Sequence, residues 1–159
     1  MIKASHSPPA SPSPPWDPRK FFSCILCISE CSTEWTQYES HCYKAFQEET
    51  TWDDAREQCV VLRSDLVSIT SSAENSFINT TFLLDKKAKV WIGLNDREKE
   101  DEFQWSDGTP FKFSIFSATD ISHGRSTNCV SIKNGEWYDQ LCASLKPYIC
   151  KKRGEKRLS

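Results

Sequence analysis

Cysteine carries the most varied chemistry in this chain, standing at positions 24, 27, 31, 42, 59, 129, 142 and 150. Thiols can hold a metal, act as nucleophiles or redox centres, or cross-link the fold. Neither the cysteine spacing nor the three histidines forms a zinc-finger pattern. A nucleophile needs an adjacent base and an orienting group, and His6, His41 and His123 fall in a proline-rich leader, a hairpin and a loop. Cys24-Ile25-Leu26-Cys27 has redox spacing but lacks the neighbouring βαβ pattern such a site requires. The sequence therefore predicts no catalysis. Eight cysteines in 159 residues point instead to disulfides in an oxidising, secreted or extracellular setting. Six cysteines from Cys31 onward allow fifteen pairings, and spacing alone selects none of them.

Oxygen donors are the other chemical resource. Asp96 to Glu102 is rich in carboxylates, the donors a hard cation such as calcium prefers, although the same string also reads as a solvated acidic loop. Asn79-Thr80-Thr81 is the sole N-glycosylation acceptor. A net charge of −2 gives no broad basic field, so nucleic acid is not an expected partner. Lys151, Lys152, Arg153, Lys156 and Arg157 cluster late in the chain. Residues 153–159 are read as a solvated basic tail, the alternative being contact with acidic glycans or anionic lipid.

The elements that must position these residues follow from local patterns. Residues 1–30 form a leader: Met1 to Lys20 hold six of the eight prolines, which argues for disorder. The apolar run Phe21 to Ile28 is far shorter than the roughly 20 residues needed to span a bilayer, so no transmembrane anchor is expected. It reads either as the core of a secretory signal with cleavage near Ser29, or as a mis-assigned start or retained stalk. Thr51 before Trp52-Asp53-Asp54 caps a helix over about 52–62, and Ser71-Ser72-Ala73-Glu74 is a capping box for a second over about 72–84. Val90 to Leu94 predicts a buried strand in which Gly93 permits close backbone approach. Asn134-Gly135 predicts a hairpin joining Cys129–Lys133 to Glu136–Asp139, with Ile132 opposite Trp137 and Val130 on the same face. Trp52, Trp91, Trp105 and Trp137 lie in apolar strings and are assigned to the core. The class is α+β: two helices on a mainly antiparallel sheet, one domain over residues 31–152.

Several blocks in this order resemble the C-type lectin-like domain in its long form. They are Cys31-Ser32-Thr33-Glu34-Trp35 with His41-Cys42-Tyr43, Trp91-Ile92-Gly93-Leu94-Asn95-Asp96, Phe103 to Pro110, Gly135-Glu136-Trp137, and Pro147-Tyr148-Ile149-Cys150-Lys151. The wording is most similar to single domains of the mannose receptor family, where many stand in tandem on a membrane anchor. This chain is thus either a secreted relative or part of a longer receptor. The resemblance implies bridges Cys31 to Cys42, Cys59 to Cys150 and Cys129 to Cys142, and a ligand surface on the long loop Phe111 to Asn128. Phe113, Ile115 and Phe116 are its candidate apolar contacts, at least one of them core.

Sugar-binding members of the family hold calcium through a Glu-Pro-Asn or Gln-Pro-Asp tripeptide, a preceding acid, and an Asn-Asp pair after the hairpin tryptophan. Here the matching positions are Asp120-Ile121-Ser122, Thr127, and Tyr138-Asp139, leaving Asp120 and Asp139 as the only carboxylates. The resemblance therefore implies recognition of a glycan or protein ligand without the usual calcium-dependent sugar site. The family's auxiliary calcium site is partly matched, by Asp96, Glu100 and Asn128. No cofactor is required on this reading, and calcium would bind weakly. The alternatives are a calcium-dependent glycan-binding lectin, or a secreted module dimerising through Cys24 and Cys27.

Overall fold

The computed structural model describes residues 27–118 and 126–158, with side chains over 30–118 and 126–156. Residues 1–26 of the leader, with His6 and Cys24, lie outside the described residues, as do Asp120, Ser122 and His123. In chain order the elements are β1 (Cys27–Glu30), β2 (Thr36–Tyr38), β3 (His41–Thr50), α1 (Trp52–Val61), β4 (Asp65–Leu66) and α2 (Ser72–Thr81). There follow β5 (Val90–Asn95), β6 (Gln104–Trp105), β7 (Cys129–Lys133), β8 (Glu136–Gln140), β9 (Lys146–Arg153) and β10 (Glu155–Leu158).

Both helices begin where their caps predict. The Thr51 hydroxyl accepts from the Asp54 amide at 3.3 Å and the Ser71 hydroxyl from the Glu74 amide at 3.1 Å, each satisfying one of the donors a helix start leaves open. The second helix stops at Thr81, short of the expected 84. Its capping box differs from expectation as well. The Glu74 carboxylate accepts from the Thr70 amide at 2.9 Å rather than the Ser71 amide, and otherwise reaches into the core.

The main sheet runs β2-β3-β9-β5-β7-β8, with β4 added to β9 and β6 to β5. All its pairings are antiparallel except β5 with β9. The hairpin register is as predicted, Ile132 opposite Trp137. Asn134 and Gly135 both take positive φ, 47° and 82°, as a two-residue turn matching the strand twist requires. Gly93 is obligatory for a different reason: a Cβ there would stand 2.7 Å from Ser106 Oγ and 2.8 Å from the Leu66 carbonyl oxygen.

Indole N–H groups tie the layers together. Trp52 Nε1 donates to the Ile92 carbonyl, Trp91 Nε1 to the Thr50 carbonyl and Trp137 Nε1 to Asn75 Oδ1, each at 2.9 Å. All four expected core tryptophans are buried. The three disulfides join Cys31 to Cys42, Cys59 to Cys150 and Cys129 to Cys142. The second binds α1 to β9 across 91 residues of sequence.

At both ends the ordered pairing passes the expected boundaries of 31 and 152. β1 pairs antiparallel with β10, Glu30 opposite Glu155 and Cys27 opposite Leu158. Much of the expected basic tail is therefore strand, because its backbone finds a partner in the end of the leader.

Candidate functional site

Two regions hold the predicted site residues: the point where β5 leaves the sheet, and the hairpin β7-β8 with the long loop that precedes it. Asp96 follows the last residue of β5 and is buried, its amide donating to the Asn128 carbonyl at 3.1 Å. That bond joins the two ends of the loop region. The chain then turns through Lys99, whose carbonyl accepts from the Glu102 amide at 3.0 Å, with Asp101 at φ 64°. The turn returns the Asp101 amide to Asp96 Oδ2, 2.9 Å away. Carboxylate oxygens of Asp96, Glu100 and Asp101 consequently all lie within 4.8 Å of one another.

Asp96 Oδ1 is buried with no hydrogen-bond partner, an expensive condition for a carboxylate oxygen unless something meets it. With the Glu100 and Asp101 carboxylates beside it, Asp96 offers oxygens of the kind a hard cation takes. Of the predicted auxiliary ligands, Asp96 and Glu100 are brought together, and Asn128 is joined to Asp96 through its backbone carbonyl. Sequence reading missed Asp101. Its only signal was membership of the acidic run, because the backbone reversal that swings it back is not written in residue type.

At the hairpin, Tyr138 and Asp139 occupy β8 opposite Ser131 and Val130. Asp139 is buried at 5% exposure. The Tyr138 hydroxyl donates to Glu136 Oε2 at 3.1 Å, and the Lys89 ammonium sits 4.6 Å from its ring centroid. Thr127 and Asn128 are half-buried at the end of the loop.

The loop is seated by aromatic packing. Phe113 and Phe116 set their rings edge-on to Trp137 at 5.7 and 5.9 Å, and Phe116 also meets Phe103 at 5.0 Å. The Ser117 amide donates to the Trp137 carbonyl at 2.9 Å, and the Trp137 amide to the Ile115 carbonyl at 3.0 Å. Of the candidate apolar contacts, then, Phe113 and Phe116 pack inward, whereas Ile115 is 38% exposed. Trp105 lies beneath the same cluster, its Nε1 buried without a hydrogen-bond partner.

Asn79 lies in α2 rather than in a loop. A methyl group added to Gly135 would meet its carboxamide at 3.7 Å, so the acceptor side chain faces the hairpin turn. On the other side of α2, Glu74 is buried and accepts from Tyr43 Oη and Lys151 Nζ, both at 2.6 Å. Burial by itself would raise the Glu74 pKa, but the hydrogen bonds from Lys151, Tyr43 and Thr70 outweigh it and hold the carboxyl below its usual value. Burial, with the same carboxylate, pushes the Tyr43 phenol upward. This cluster fastens α2 to the sheet.

The family pattern described as the lectin C-type domain matches residues 48–152. The chain belongs to this family. It is 35% identical over 130 residues to the human C-type mannose receptor 2, an alignment covering 79% of this chain and 9% of that receptor's length. Among solved structures, it matches the carbohydrate-recognition domain of the mouse scavenger receptor C-type lectin with a TM-score of 0.73 at 30% identity, over 79% of this chain and 100% of that one. A calcium-independent type II antifreeze protein matches with the same TM-score of 0.73 at 26% identity, over 81% and 97% of the two chains. The family is generally non-enzymatic, its domains bind glycans or proteins, and they are commonly extracellular. No helix among the described residues is long and apolar enough to cross a membrane.

Proposed function

We propose that this chain is a non-catalytic extracellular recognition domain that binds a glycan or protein ligand through its long-loop face, without the calcium-dependent sugar site. The observation that carries this reading is the state of Asp139. Direct coordination of a sugar-bearing calcium needs carboxylates presented at the surface, whereas Asp139 is buried and its neighbour is the aromatic Tyr138, engaged with Glu136 and Lys89. Thr127 supplies no charge where sugar-binding members keep an acid. The likeness to an antifreeze protein described as calcium-independent is consistent with the same fold working without the ion.

The exposed Phe111 and Ile115 give the loop an apolar contact surface on a rigid support. Calcium, where it binds, would be held weakly by Asp96, Glu100 and Asp101. Its chemistry there would be neutralisation of three crowded carboxylates, which steadies the loop region. A glycan array probed in calcium and again in chelator tests the proposal. Binding that persists in chelator is expected, and mannose-type binding abolished by chelator would overturn it.

A further inference from the structure

A second cleft, lined by none of the long-loop residues 111–128, opens where β9 ends beside the start of β3 and the loop after α1. Its volume is about 360 Å³, and Arg63, Lys151, Lys152, Arg153, His41 and Asp107 stand on its walls. The sheet register creates the concentration of charge: His41 pairs with Arg153, Cys42 with Lys152, and Tyr43 with Lys151.

The charges in this cleft are not equally free. Lys151 is committed to Glu74 at 2.6 Å, and Asp65, also on the wall, faces Arg56 at 3.4 Å. Among the described residues, Arg63, Lys152 and Arg153 have no carboxylate within 4.0 Å. Three cations thus share the lining with the single remaining acid, Asp107. The Lys152 ammonium rests 4.3 Å from the centroid of the Trp35 ring, and it reaches the cleft by leaving that contact.

Arg63 adds an independent observation. It sits at φ 55°, just past the end of α1, where the Ser64 amide closes on the Cys59 carbonyl at 3.0 Å. Helices end in this left-handed conformation most readily with glycine. A long β-carbon-bearing cation there is strained, and such strain gathers at positions that serve a ligand. Burial above all, then Lys151, holds His41 below its ordinary pKa, while Glu74 and Asp107 pull the other way, so His41 adds no charge of its own near neutral pH.

We infer that this cleft is an anion site that takes the sulfate groups of an acidic glycan, with Arg63, Lys152 and Arg153 as its donors. A guanidinium grips a tetrahedral oxyanion with paired N–H groups. Lys156, exposed on β10 three residues after Arg153, is a further cation for a ligand carrying more than one such group. The site is separate from the long-loop surface, so the two readings fail independently.

The test measures binding of the full oxidised chain to a heparin-derived octasaccharide, to its desulfated counterpart, and to phosphatidylserine vesicles, all in chelator at about 0.15 M salt. Saturable binding of the sulfated sugar alone is expected. Arg63→Gly should weaken it about fivefold while leaving the melting temperature unchanged or raised, because glycine relieves the strained backbone. The double variant Lys152→Gln/Arg153→Gln should weaken it further, whereas Lys86→Gln, which like Arg63→Gly removes one positive charge but far from the cleft, should leave it unchanged. The assignment is overturned if the octasaccharide fails to bind, if Arg63→Gly and the double variant bind as tightly as Lys86→Gln, or if vesicles bind while the octasaccharide does not.

Discussion

The seam between α1, α2 and β9 and the loop junction at Asp96 treat buried polar groups in opposite ways. In the seam, Glu74 is met by Tyr43, Lys151 and both the amide and hydroxyl of Thr70, beside a disulfide that closes 91 residues. At the loop junction, Asp96 Oδ1 and Trp105 Nε1 are buried without hydrogen-bond partners. Buried polar groups left unanswered cost free energy. The fold therefore concentrates its stability on one side and leaves chemical capacity on the other. The difference separates what holds this domain together from what remains available to a ligand.

Cutting the seam should cost the most stability. Replacing Cys59 and Cys150 together by alanine is expected to cost about 4.5 kcal/mol in the chain-entropy model, read as a fall in the urea midpoint. Glu74→Ala comes next, at about 3–4 kcal/mol, because it strands the Lys151 ammonium, only 8% exposed, without its counter-ion. Since Glu74 is held below the ordinary carboxyl value of 4.5, its contribution is complete above that pH and is lost as pH falls through the lower folded-state value. Acid unfolding of the native chain should accordingly be steeper than that of Glu74→Gln. An acid-unfolding curve identical for the two would remove Glu74 from the seam.

Smaller effects belong to the loop side. If Asp96, Glu100 and Asp101 hold calcium with a dissociation constant near 1 mM, about 10 mM calcium adds about 1.4 kcal/mol over chelator, seen as a rise of several degrees in melting temperature. Asp96→Asn should abolish the rise. The smallest effect on stability is expected from Ile115→Ala, within about 0.5 kcal/mol, together with loss of the ligand that the long-loop face binds. A large stability loss would instead place Ile115 in the core and erase the contrast between the two regions.

What residue types reveal depends on how local their cause is. Thr51 and Ser71 mark helix starts and Asn134-Gly135 marks a turn because each acts within a few bonds of its own backbone. Disulfide partners are set by the path of the whole chain, and only family resemblance supplied them. Glu74 reads as a capping residue because its contact with Thr70 is local. Its bonds to Tyr43 and Lys151, 31 and 77 residues away, leave no trace in spacing. The terminal pairing was illegible for a related reason. Glu155-Lys156-Arg157 lacks apolar alternation, and its strand exists only because the segment before Cys31 runs alongside it. Around the site, acid types suggested Asp96 and Glu100, whereas Asp101 joins them only through a left-handed turn.

The pairing of β1 with β10 has a further consequence. Neighbouring strands lie about 5 Å apart, so polypeptide arriving at Cys27 and polypeptide departing at Leu158 do so side by side. A unit wired in this way is portable: splicing it into a surface loop of another protein moves the cut ends apart by little more than one strand's width. A row of such units joined by linkers would also hang like beads from a single thread, and each would be free to swing its binding faces without pulling on the next.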